Sequence, residues 1–381
     1  MANSFIKHLE KLIACKSVTP LDSGAIDYIS DLLQENGFRA EIKIFGNDEY
    51  SVTNLYGVYG NSSPNICFAG HVDVVPPGDS KSWKYDPFTA TTEGDKIFGR
   101  GAVDMKGALA CALSSSLDFI KSNPNPNGSI SFLITSDEEG KAEFGTKEML
   151  SYLYSQKDFK QIDLAILGEP TCVEEVGDTI KIGRRGSVSF TLIVQGMQGH
   201  VAYPDLADNP IPYLIKILNE LNNYKLDEGN EFFQSSNLEI TSVDVNNNAT
   251  NVIPQEASAK FNIRFNNIHS PESIVELVKN LINRYSTNYK LNSYVSALPF
   301  IQKPIGLIED FADIVSANTG VKCKFSTSGG TSDARFISNY CNVVEFGLLS
   351  GMAHKINEHT GINDLQRLHN VYYNALNKFL R

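Results

Sequence analysis

A chain of 381 residues with a net charge of −11 is typical of a globular protein with two domains. The acidic balance and the lack of a basic stripe exclude nucleic acid as a natural partner. The first ten residues lack the uninterrupted apolar stretch of a signal peptide, and no apolar run approaches the length of a membrane span. Six scattered cysteines without a C-x-x-C pair indicate reduced thiols, so we expect a cytoplasmic protein.

Two amphipathic helices open the chain. An apolar stripe of Phe5, Leu9, Leu12 and Ile13 predicts the first helix. It ends before Pro20, because the residue preceding a proline avoids the helical region. The second helix is predicted over residues 25–35, with a glycine near its end.

Three short apolar runs follow, and each one ends at a candidate ligand. Residues 66–70 lead to His71, residues 130–135 lead to Glu138 and Glu139, and residues 164–168 lead to Glu169. Short apolar runs bounded by turn residues predict buried strands of an α/β sheet. Because sites in such sheets collect beyond the carboxyl ends of the strands, we expect these side chains to meet.

The pattern of apolar and polar residues changes at residue 183, where a second domain is predicted. The order β-α-β-β-α-β is that of the ferredoxin-like split unit. Its predicted elements are strand 187–194, helix 208–221, strands 238–245 and 257–265, helix 270–284 and strand 291–295. We therefore interpret residues 183–296 as a domain inserted into a discontinuous first domain, residues 1–182 and 297–381, which a last helix closes.

The acidic and histidine residues around the first domain suit a centre of two metal ions. Such a centre needs a bridging carboxylate and further protein ligands on each side. His71 and His354 supply imidazoles, Glu139 and Glu169 supply terminal carboxylates, and Asp104 supplies the bridge. Nitrogen and oxygen ligands together favour zinc, with cobalt or manganese as substitutes.

Two further carboxylates lie beside these ligands. Asp73 follows His71 by two residues and shares its face in an extended segment, so we expect it to accept the hydrogen bond of the second imidazole nitrogen. Glu138 precedes Glu139 and points elsewhere, which suits a general base for the hydrolytic water. Each pair taken alone is more often a solvated surface feature. Their joint placement after strands and glycines favours the catalytic interpretation.

Other charged residues carry weaker signals. His200, in Q-G-H-V-A-Y-P, is by itself an ordinary loop histidine. The G-R-R-G-S element at 183–187 suggests a ligand that bears a carboxylate, although a surface ion pair explains it equally well. The G-G-T-S-D-A-R loop at 329–335 has the composition of an anion-binding loop. We expect four acidic residues to be solvated: Glu93, Asp95, Asp137 and Glu143.

Nine motifs in order carry a resemblance to a known family. They are F-A-G-H-V-D-V-V-P-P-G, G-R-G-A-V-D-M-K-G, S-D-E-E-G, L-G-E-P-T, I-G-R-R-G-S, Q-G-H-V-A-Y-P, N-V-I-P, S-G-G-T-S-D-A-R-F and H-K-I-N-E. The chain resembles the zinc aminoacylase/carboxypeptidase superfamily of metallopeptidases over nearly its whole length. Within that superfamily, its later motifs resemble those of the bacterial desuccinylase family.

The resemblance implies a mixed-sheet α/β catalytic domain with an inserted dimerisation lid, and two zinc ions per subunit. His71 and Glu169 would hold one ion, Glu139 and His354 the other, with Asp104 between them and a cis peptide after it. Glu138 would be the acid/base, and Asp73 would support His71.

The implied substrate contacts come mostly from the inserted domain. His200 would reach the partner subunit's site and stabilise the oxyanion, in a homodimer. The residues implied to bind substrate are Arg184, Ser187, Tyr203, Asn251, Arg264, Gly330, Thr331 and Ser350. Ser350 stands where the family pattern has an asparagine, and Thr250 precedes Asn251 where some relatives have a second asparagine.

The implied activity is hydrolysis of N-succinyl-LL-2,6-diaminopimelate to succinate and LL-2,6-diaminopimelate, in lysine and cell-wall biosynthesis. An acetylornithine deacetylase or a related N-acyl amino acid hydrolase would use the same metals. A catalytically inactive metal- or peptide-binding protein on this fold is a third hypothesis, which the intact Glu138 disfavours.

Overall fold

The computed structural model describes residues 4–381, and their contacts divide the chain into two compact units. The first unit comprises residues 4–182, Gln302–Ser326 and Ser332–Arg381. The second unit comprises Gly183–Ile301 and Thr327–Thr331. Residues 297–301 and the short segment Thr327–Thr331 therefore cluster with the second unit, whereas the sequence predicts them in the first domain.

Residues 4–381 form nine α-helices and nineteen β-strands. The α-helices are α1 (Ser4–Ala14), α2 (Ala25–Glu35), α3 (Lys106–Ser122), α4 (Thr146–Ser155), α5 (Pro210–Asn223), α6 (Pro271–Ile282), α7 (Leu307–Thr319), α8 (Ala334–Ile337) and α9 (Ile362–Leu380). The strands are β1 (Arg39–Gly46), β2 (Ser51–Gly60), β3 (Asn65–His71), β4 (Thr91–Glu93), β5 (Lys96–Phe98), β6 (Ser129–Thr135), β7 (Leu164–Leu167), β8 (Thr179–Lys181), β9 (Gly183–Arg184), β10 (Gly186–Gln195), β11 (Gly199–His200), β12 (Asn237–Asp244), β13 (Val252–Ile253), β14 (Glu256–Phe265), β15 (Tyr289–Ala297), β16 (Phe300–Ile301), β17 (Lys324–Ser326), β18 (Asn342–Glu345) and β19 (His359–Gly361).

The first unit is built on an eight-stranded mixed sheet in the order β1-β2-β6-β3-β7-β18-β8-β17. Its centre, β6-β3-β7-β18, is parallel, and β1 and β2 add an antiparallel edge. Strands β3, β6 and β7 are buried along their whole length, which explains why the sequence shows them as continuous apolar runs. The predicted mixed α/β fold is confirmed.

Amphipathic helices complete the core of the first unit. The predicted stripe of α1, which includes Leu9 and Leu12, is buried. The last helix, α9, contributes Tyr372, whose ring centroid lies 5.0 Å from that of Phe68 on β3. The Tyr372 hydroxyl donates a 2.6 Å hydrogen bond to the carbonyl of Phe346, which satisfies the one polar group of this buried ring.

The second unit has the predicted β-α-β-β-α-β order, formed by β10, α5, β12, β14, α6 and β15. Its antiparallel sheet has the order β12-β14-β10-β15, and α5 and α6 bury their apolar faces against it. Asn209 caps α5 with its side chain and Pro210 occupies the first turn, while Ser270 and Ser273 form a capping box on α6. The ferredoxin-like prediction is confirmed.

Within residues 4–381, no helix combines the length and the apolar character that a membrane crossing requires.

Candidate metal centre

Three neighbouring parallel strands place candidate ligands at one edge of the sheet. His71 is the last residue of β3. Glu138 and Glu139 follow the end of the adjacent β6, and Glu169 follows the end of β7 on the other side. Because parallel strands end at the same edge, residues distant in the chain become neighbours here, as predicted.

Two glycines allow a fourth ligand to approach these strands. Asp104 lies in the loop before α3, and the side chain of the next residue, Met105, packs against Gly70 and Gly168. A Cβ atom on Gly168 would lie 2.6 Å from the Met105 Cε atom, so a larger residue would force the loop away. The Asp104–Met105 peptide is cis, as the resemblance implied.

The Asp104 carboxylate lies between two imidazoles. Its Oδ1 atom is 3.4 Å from Nε2 of His71, and its Oδ2 atom is 3.2 Å from Nε2 of His354. Each oxygen therefore faces a different histidine. This is the placement that a bridging carboxylate requires.

A terminal carboxylate completes each half of the cluster. Glu169 Oε1 lies 3.6 Å from Nε2 of His71, and Glu139 Oε1 lies 2.9 Å from Nε2 of His354. The structure thus brings together all five side chains expected to bind metal. Their metal binding itself stays a prediction.

Three buried atoms of this cluster provide a test of whether cations fit. Nε2 of His71, Oδ1 of Asp104 and Oε1 of Glu169 are buried and have no hydrogen-bond partner among residues 4–381. Such atoms are costly unless something compensates them. Ligand atoms bound tetrahedrally to zinc lie about 3.3–3.6 Å apart, and the distances from His71 to Asp104 and Glu169 match this spacing. The donor set fits a divalent cation.

The electrostatics of the cluster are dominated by burial and by opposite charges. Burial lowers the pKa of His71, but the nearby carboxylates of Asp104 and Glu169 outweigh it, and the pKa lies well above its usual value. Hydrogen bonds to Asp104 and Glu139 raise the pKa of His354 to about 10. Burial and the nearby charge of Asp104 raise the pKa of Glu169 to about 7. Burial opposes ionisation of Asp104, yet the two imidazoles hold the pKa of Asp104 below its usual value.

Glu138 lies beside this cluster, and its carboxylate is farther from His71 than the carboxylates of Asp104 and Glu169 are. Its Oε2 atom is 4.0 Å from Nε2 of His71. Burial, followed by the negative charge of Glu169, raises the pKa of Glu138 well above its usual value. Glu138 also lies close enough to His71 and Glu169 for the three to form a ligand group, as do His71, Asp104 and Glu139. The geometry therefore allows Glu138 to act either as a metal ligand or as a general base.

Asp73 supports the cluster in a different way from the one predicted. Nδ1 of His71 makes its 2.8 Å hydrogen bond with the main-chain carbonyl of Asp73, while the Asp73 carboxylate is 3.6 Å from that nitrogen. The carboxylate instead accepts hydrogen bonds from the main-chain N–H groups of Glu138 and Glu139, at 3.3 and 3.1 Å. The side chains of His71 and Asp73 do share a face, but the main-chain carbonyl of Asp73 already accepts the hydrogen bond of the His71 imidazole.

The roles of two buried carboxylates were not predicted from the sequence. Asp137 is fully buried, where the sequence suggested a solvated residue, and it accepts hydrogen bonds from the main-chain N–H groups of Glu143 and Phe144. Glu358 is also fully buried and contacts the loop that carries Asp104. Its position at the end of H-K-I-N-E was the only sequence signal for it.

The second unit groups the residues expected to bind the substrate's charged ends. Ser187 on β10 is directly opposite Arg264 on β14. Arg184 lies just before β10 and donates a 3.2 Å hydrogen bond from Nη1 to the carbonyl of Ser328. That contact places Arg184 beside the segment that carries Gly330 and Thr331.

A second group in this unit surrounds His200. The β11–β13 pairing sets His200 opposite Val252, next to Asn251. The rings of His200 and Tyr203 are 5.7 Å apart, and Tyr203 is 63% exposed. His200 Nδ1 accepts a 3.0 Å hydrogen bond from the N–H of Ala202, which leaves Nε2 as the nitrogen available to a ligand.

Ser350 belongs to the first unit, at the start of a single 3₁₀ turn before His354. Its hydroxyl donates a 3.1 Å hydrogen bond to the carbonyl of Cys172. The oxygen retains acceptor capacity, but its proton is already used within the protein.

A family model and curated relatives match the chain across both units. The model of peptidase family M20/M25/M40 matches residues 67–378. A protein of Rickettsia bellii (strain RML369-C) named succinyl-diaminopimelate desuccinylase is 60% identical over 374 residues, which cover 97% of this chain and 95% of the relative. A protein of the same name from Rickettsia felis (strain ATCC VR-1525 / URRWXCal2) is 60% identical over 382 residues, or 99% of this chain and 100% of the relative.

Solved structures share the fold at much lower sequence identity. The M20 family metallo-carboxypeptidase Sso-CP2 from Sulfolobus solfataricus superposes with a TM-score of 0.79 at 18% identity, covering 98% of each chain. The YXEP protein of Bacillus subtilis, described as a dinuclear metal binding peptidase of the M20 family, superposes with a TM-score of 0.69 at 14% identity, covering 98% of this chain and 97% of that one.

Proposed function

The chain belongs to peptidase family M20/M25/M40, and on that premise we propose that it hydrolyses N-succinyl-LL-2,6-diaminopimelate to succinate and LL-2,6-diaminopimelate. One observation carries this proposal. Curated relatives named succinyl-diaminopimelate desuccinylase are 60% identical to the chain over nearly its whole length. The reaction belongs to lysine and diaminopimelate biosynthesis, which suits the cytoplasm of a bacterium.

The proposed cofactor is a pair of zinc ions, for which cobalt or manganese can substitute. His71 and Glu169 would hold one ion, His354 and Glu139 the other, and Asp104 both. Support comes from the orientation of Asp104, which directs one oxygen toward each histidine. When bound, the two cations polarise the amide carbonyl and acidify the attacking water.

Glu138 moves the proton in the proposed reaction. It accepts a proton from the water as the oxygen attacks the amide carbon, and it returns that proton to the nitrogen of the departing amine. A general base for this task needs a pKa near the working pH. Burial and the charge of Glu169 shift the pKa of Glu138 upward, in the required direction.

Residues of the second unit recognise the substrate. Arg264 would bind the succinyl carboxylate, because a planar guanidinium pairs with a carboxylate through two hydrogen bonds. The diaminopimelate end would contact Arg184, Ser187, Gly330 and Thr331. Support comes from the cross-strand pairing of Ser187 with Arg264, which puts hydroxyl and guanidinium groups on adjacent strands.

The proposed active form is a homodimer. His200 would act in the partner subunit's site, where its Nε2 opposes the charge that develops on the carbonyl oxygen. Tyr203, Asn251 and Ser350 would add polar contacts to the substrate. Tyr203 and His200 are exposed in the second unit. Their exposure supports a role in contacts with the substrate or the partner subunit, and not in the packing of this unit.

A steady-state assay of the zinc-loaded protein tests the function. We expect turnover of N-succinyl-LL-2,6-diaminopimelate and little or no turnover of N-acetylornithine, because an acetyl group offers no carboxylate to Arg264. Equal or greater turnover of the acetylated substrate would contradict the proposal. The Arg264→Gln variant should raise KM for the succinylated substrate, and its effect on any acetylated substrate should be small.

A further inference from the structure

Glu358 is a fully buried carboxylate that holds the loop of the bridging aspartate. One oxygen, Oε1, accepts from the main-chain N–H groups of Val103 at 2.8 Å and Asp104 at 3.2 Å. The other oxygen, Oε2, accepts from Arg100 Nη1 at 2.7 Å and from the N–H of Gly101 at 3.0 Å. All four bonds therefore converge on five consecutive residues that end in Asp104.

Arg100 links Glu358 to the loop that contains His354. Besides binding Glu358, its Nη1 atom donates to the carbonyl of Lys355 at 3.2 Å, and Nη2 donates to the carbonyl of His354 at 3.5 Å. The Arg100 guanidinium is itself buried and lies 5.1 Å from the ring centre of Trp83. A single ion pair thus touches both loops.

The His354 loop needs such support more than the other ligands do. His71 ends β3 and Glu169 lies two residues beyond β7, so sheet strands restrain their backbones. His354 lies in irregular chain and has a φ of 62°, and Asn357 has a φ of 60°. Non-glycine residues adopt this left-handed region at a cost, and they stay there only when surrounding contacts hold them. The His354 side chain is also 51% exposed, so packing restrains it little.

We propose that the Arg100–Glu358 pair is a positioning device that sets Asp104 and His354 at the spacing needed to bind the second cation. The inference rests on the proposed dinuclear centre, and it concerns the ion shared by Asp104, Glu139 and His354. Arg100 and Glu358 are both buried, so we assign them a positioning role and no contact with the substrate.

The test is a titration of the metal-free protein with Zn²⁺ in competition with a chelating dye, which measures the affinity of each site without any turnover. The Glu358→Gln variant keeps the side chain's shape, but its amide NH₂ must face two donors and the charge of Arg100 loses its partner. We expect the affinity of the site formed by Asp104, Glu139 and His354 to fall about 10- to 100-fold, because it depends on both supported loops, and the affinity of the site with His71 and Glu169 to change by no more than about threefold. Excess Zn²⁺ should restore most of the turnover.

A matched control separates positioning from general stability. Asp163 accepts a 2.7 Å hydrogen bond from the N–H of Asn65, at the opposite end of the sheet from the ligands. Asp163→Asn should lower the melting temperature and leave both Zn²⁺ affinities unchanged. Equal weakening of both sites in Glu358→Gln, or unchanged affinities with only a lower melting temperature, would overturn the inference.

A second variant covers the case in which Glu358→Gln does not fold. Arg100→Lys keeps the charge beside Glu358 but lacks the fork that reaches the carbonyls of His354 and Lys355. It should weaken the second site selectively, and retention of wild-type affinities would overturn the inference. If the wild-type protein itself bound fewer than two Zn²⁺ ions, the dinuclear centre of the proposed function would fail instead.

Discussion

The carboxylate of Asp73 accepts a hydrogen bond of 3.1 Å from the main-chain N–H of Glu139. The Asp73 carboxylate also accepts a hydrogen bond from the main-chain N–H of Glu138, and the Asp73 carbonyl accepts one from Nδ1 of His71. One residue thus joins the strand end that carries His71 to the loop that carries the two glutamates. Its two functions, a backbone contact to the imidazole and a side-chain contact to the loop, are separable by mutation.

We therefore predict that Asp73→Asn acts mainly on the glutamate loop. The substituted amide retains only one oxygen for two N–H donors, and the main-chain bond to His71 is unaffected. We expect kcat to fall by about 10- to 100-fold, with a smaller change in KM. Steady-state kinetics and zinc analysis of the purified variant check this. Complete loss of both zinc ions would show that the carboxylate holds the metals through His71 after all.

The role of Glu138 is predicted to be proton transfer and not metal binding. Glu138→Gln should keep two zinc ions per subunit and lower kcat by about 10²- to 10⁴-fold, since the amide cannot accept the proton of water. Glu143→Gln is the matched control, because Glu143 is exposed on the same loop. Normal turnover in Glu138→Gln would remove Glu138 from the mechanism, and loss of a metal ion would make it a ligand.

Metal binding is predicted to release protons. The pKa of His354 is raised to about 10 by hydrogen bonds to Asp104 and Glu139, so the metal-free imidazole is protonated at neutral pH. A metal ligand must be neutral, so Zn²⁺ displaces this proton, and affinity rises about tenfold per pH unit for each proton released. The gain should continue up to pH about 10.

Calorimetric titrations in two buffers of different ionisation enthalpy measure this release. At pH 8 the His354→Gln variant should release about one proton fewer per subunit than the wild-type protein. Below pH 7 a further proton should come from Glu169, whose pKa burial and the charge of Asp104 raise to about 7. Proton release that is identical in wild type and variant would contradict the assignment to His354.

Sharing of the active site between subunits has its own test. His200→Ala chains and Glu138→Gln chains are each expected to be nearly inactive as pure dimers. A mixed dimer should recover activity, because one of its two sites receives an intact His200 and an intact Glu138. Mixing should therefore restore up to about a quarter of wild-type turnover, since half of the dimers are mixed and half of their sites are complete. No recovery, in mixtures shown to exchange subunits, would mean that each site is built from one chain.

Local patterns in the sequence were enough to predict much of this protein. Alternation and apolar runs predicted β3, β6 and β7, and the residues just beyond those strands turned out to be neighbours. The ferredoxin-like order of the second unit was predicted for the same reason, because strand and helix periodicity depends on residues close in the chain. The motifs led to Asp104 and His354, which no periodicity would have connected.

Only the tertiary structure decided where the buried carboxylates lie and what they hold. Asp137 looks like a surface residue in S-D-E-E-G, yet it caps the main chain of its own loop. Glu358 meets the loop before α3 across more than 250 residues of sequence. The sequence H-V-D likewise does not show that Nδ1 of His71 bonds to the main-chain carbonyl of Asp73. Hydrogen-bond partners are set by which groups are buried together, and burial is a property of the assembled fold.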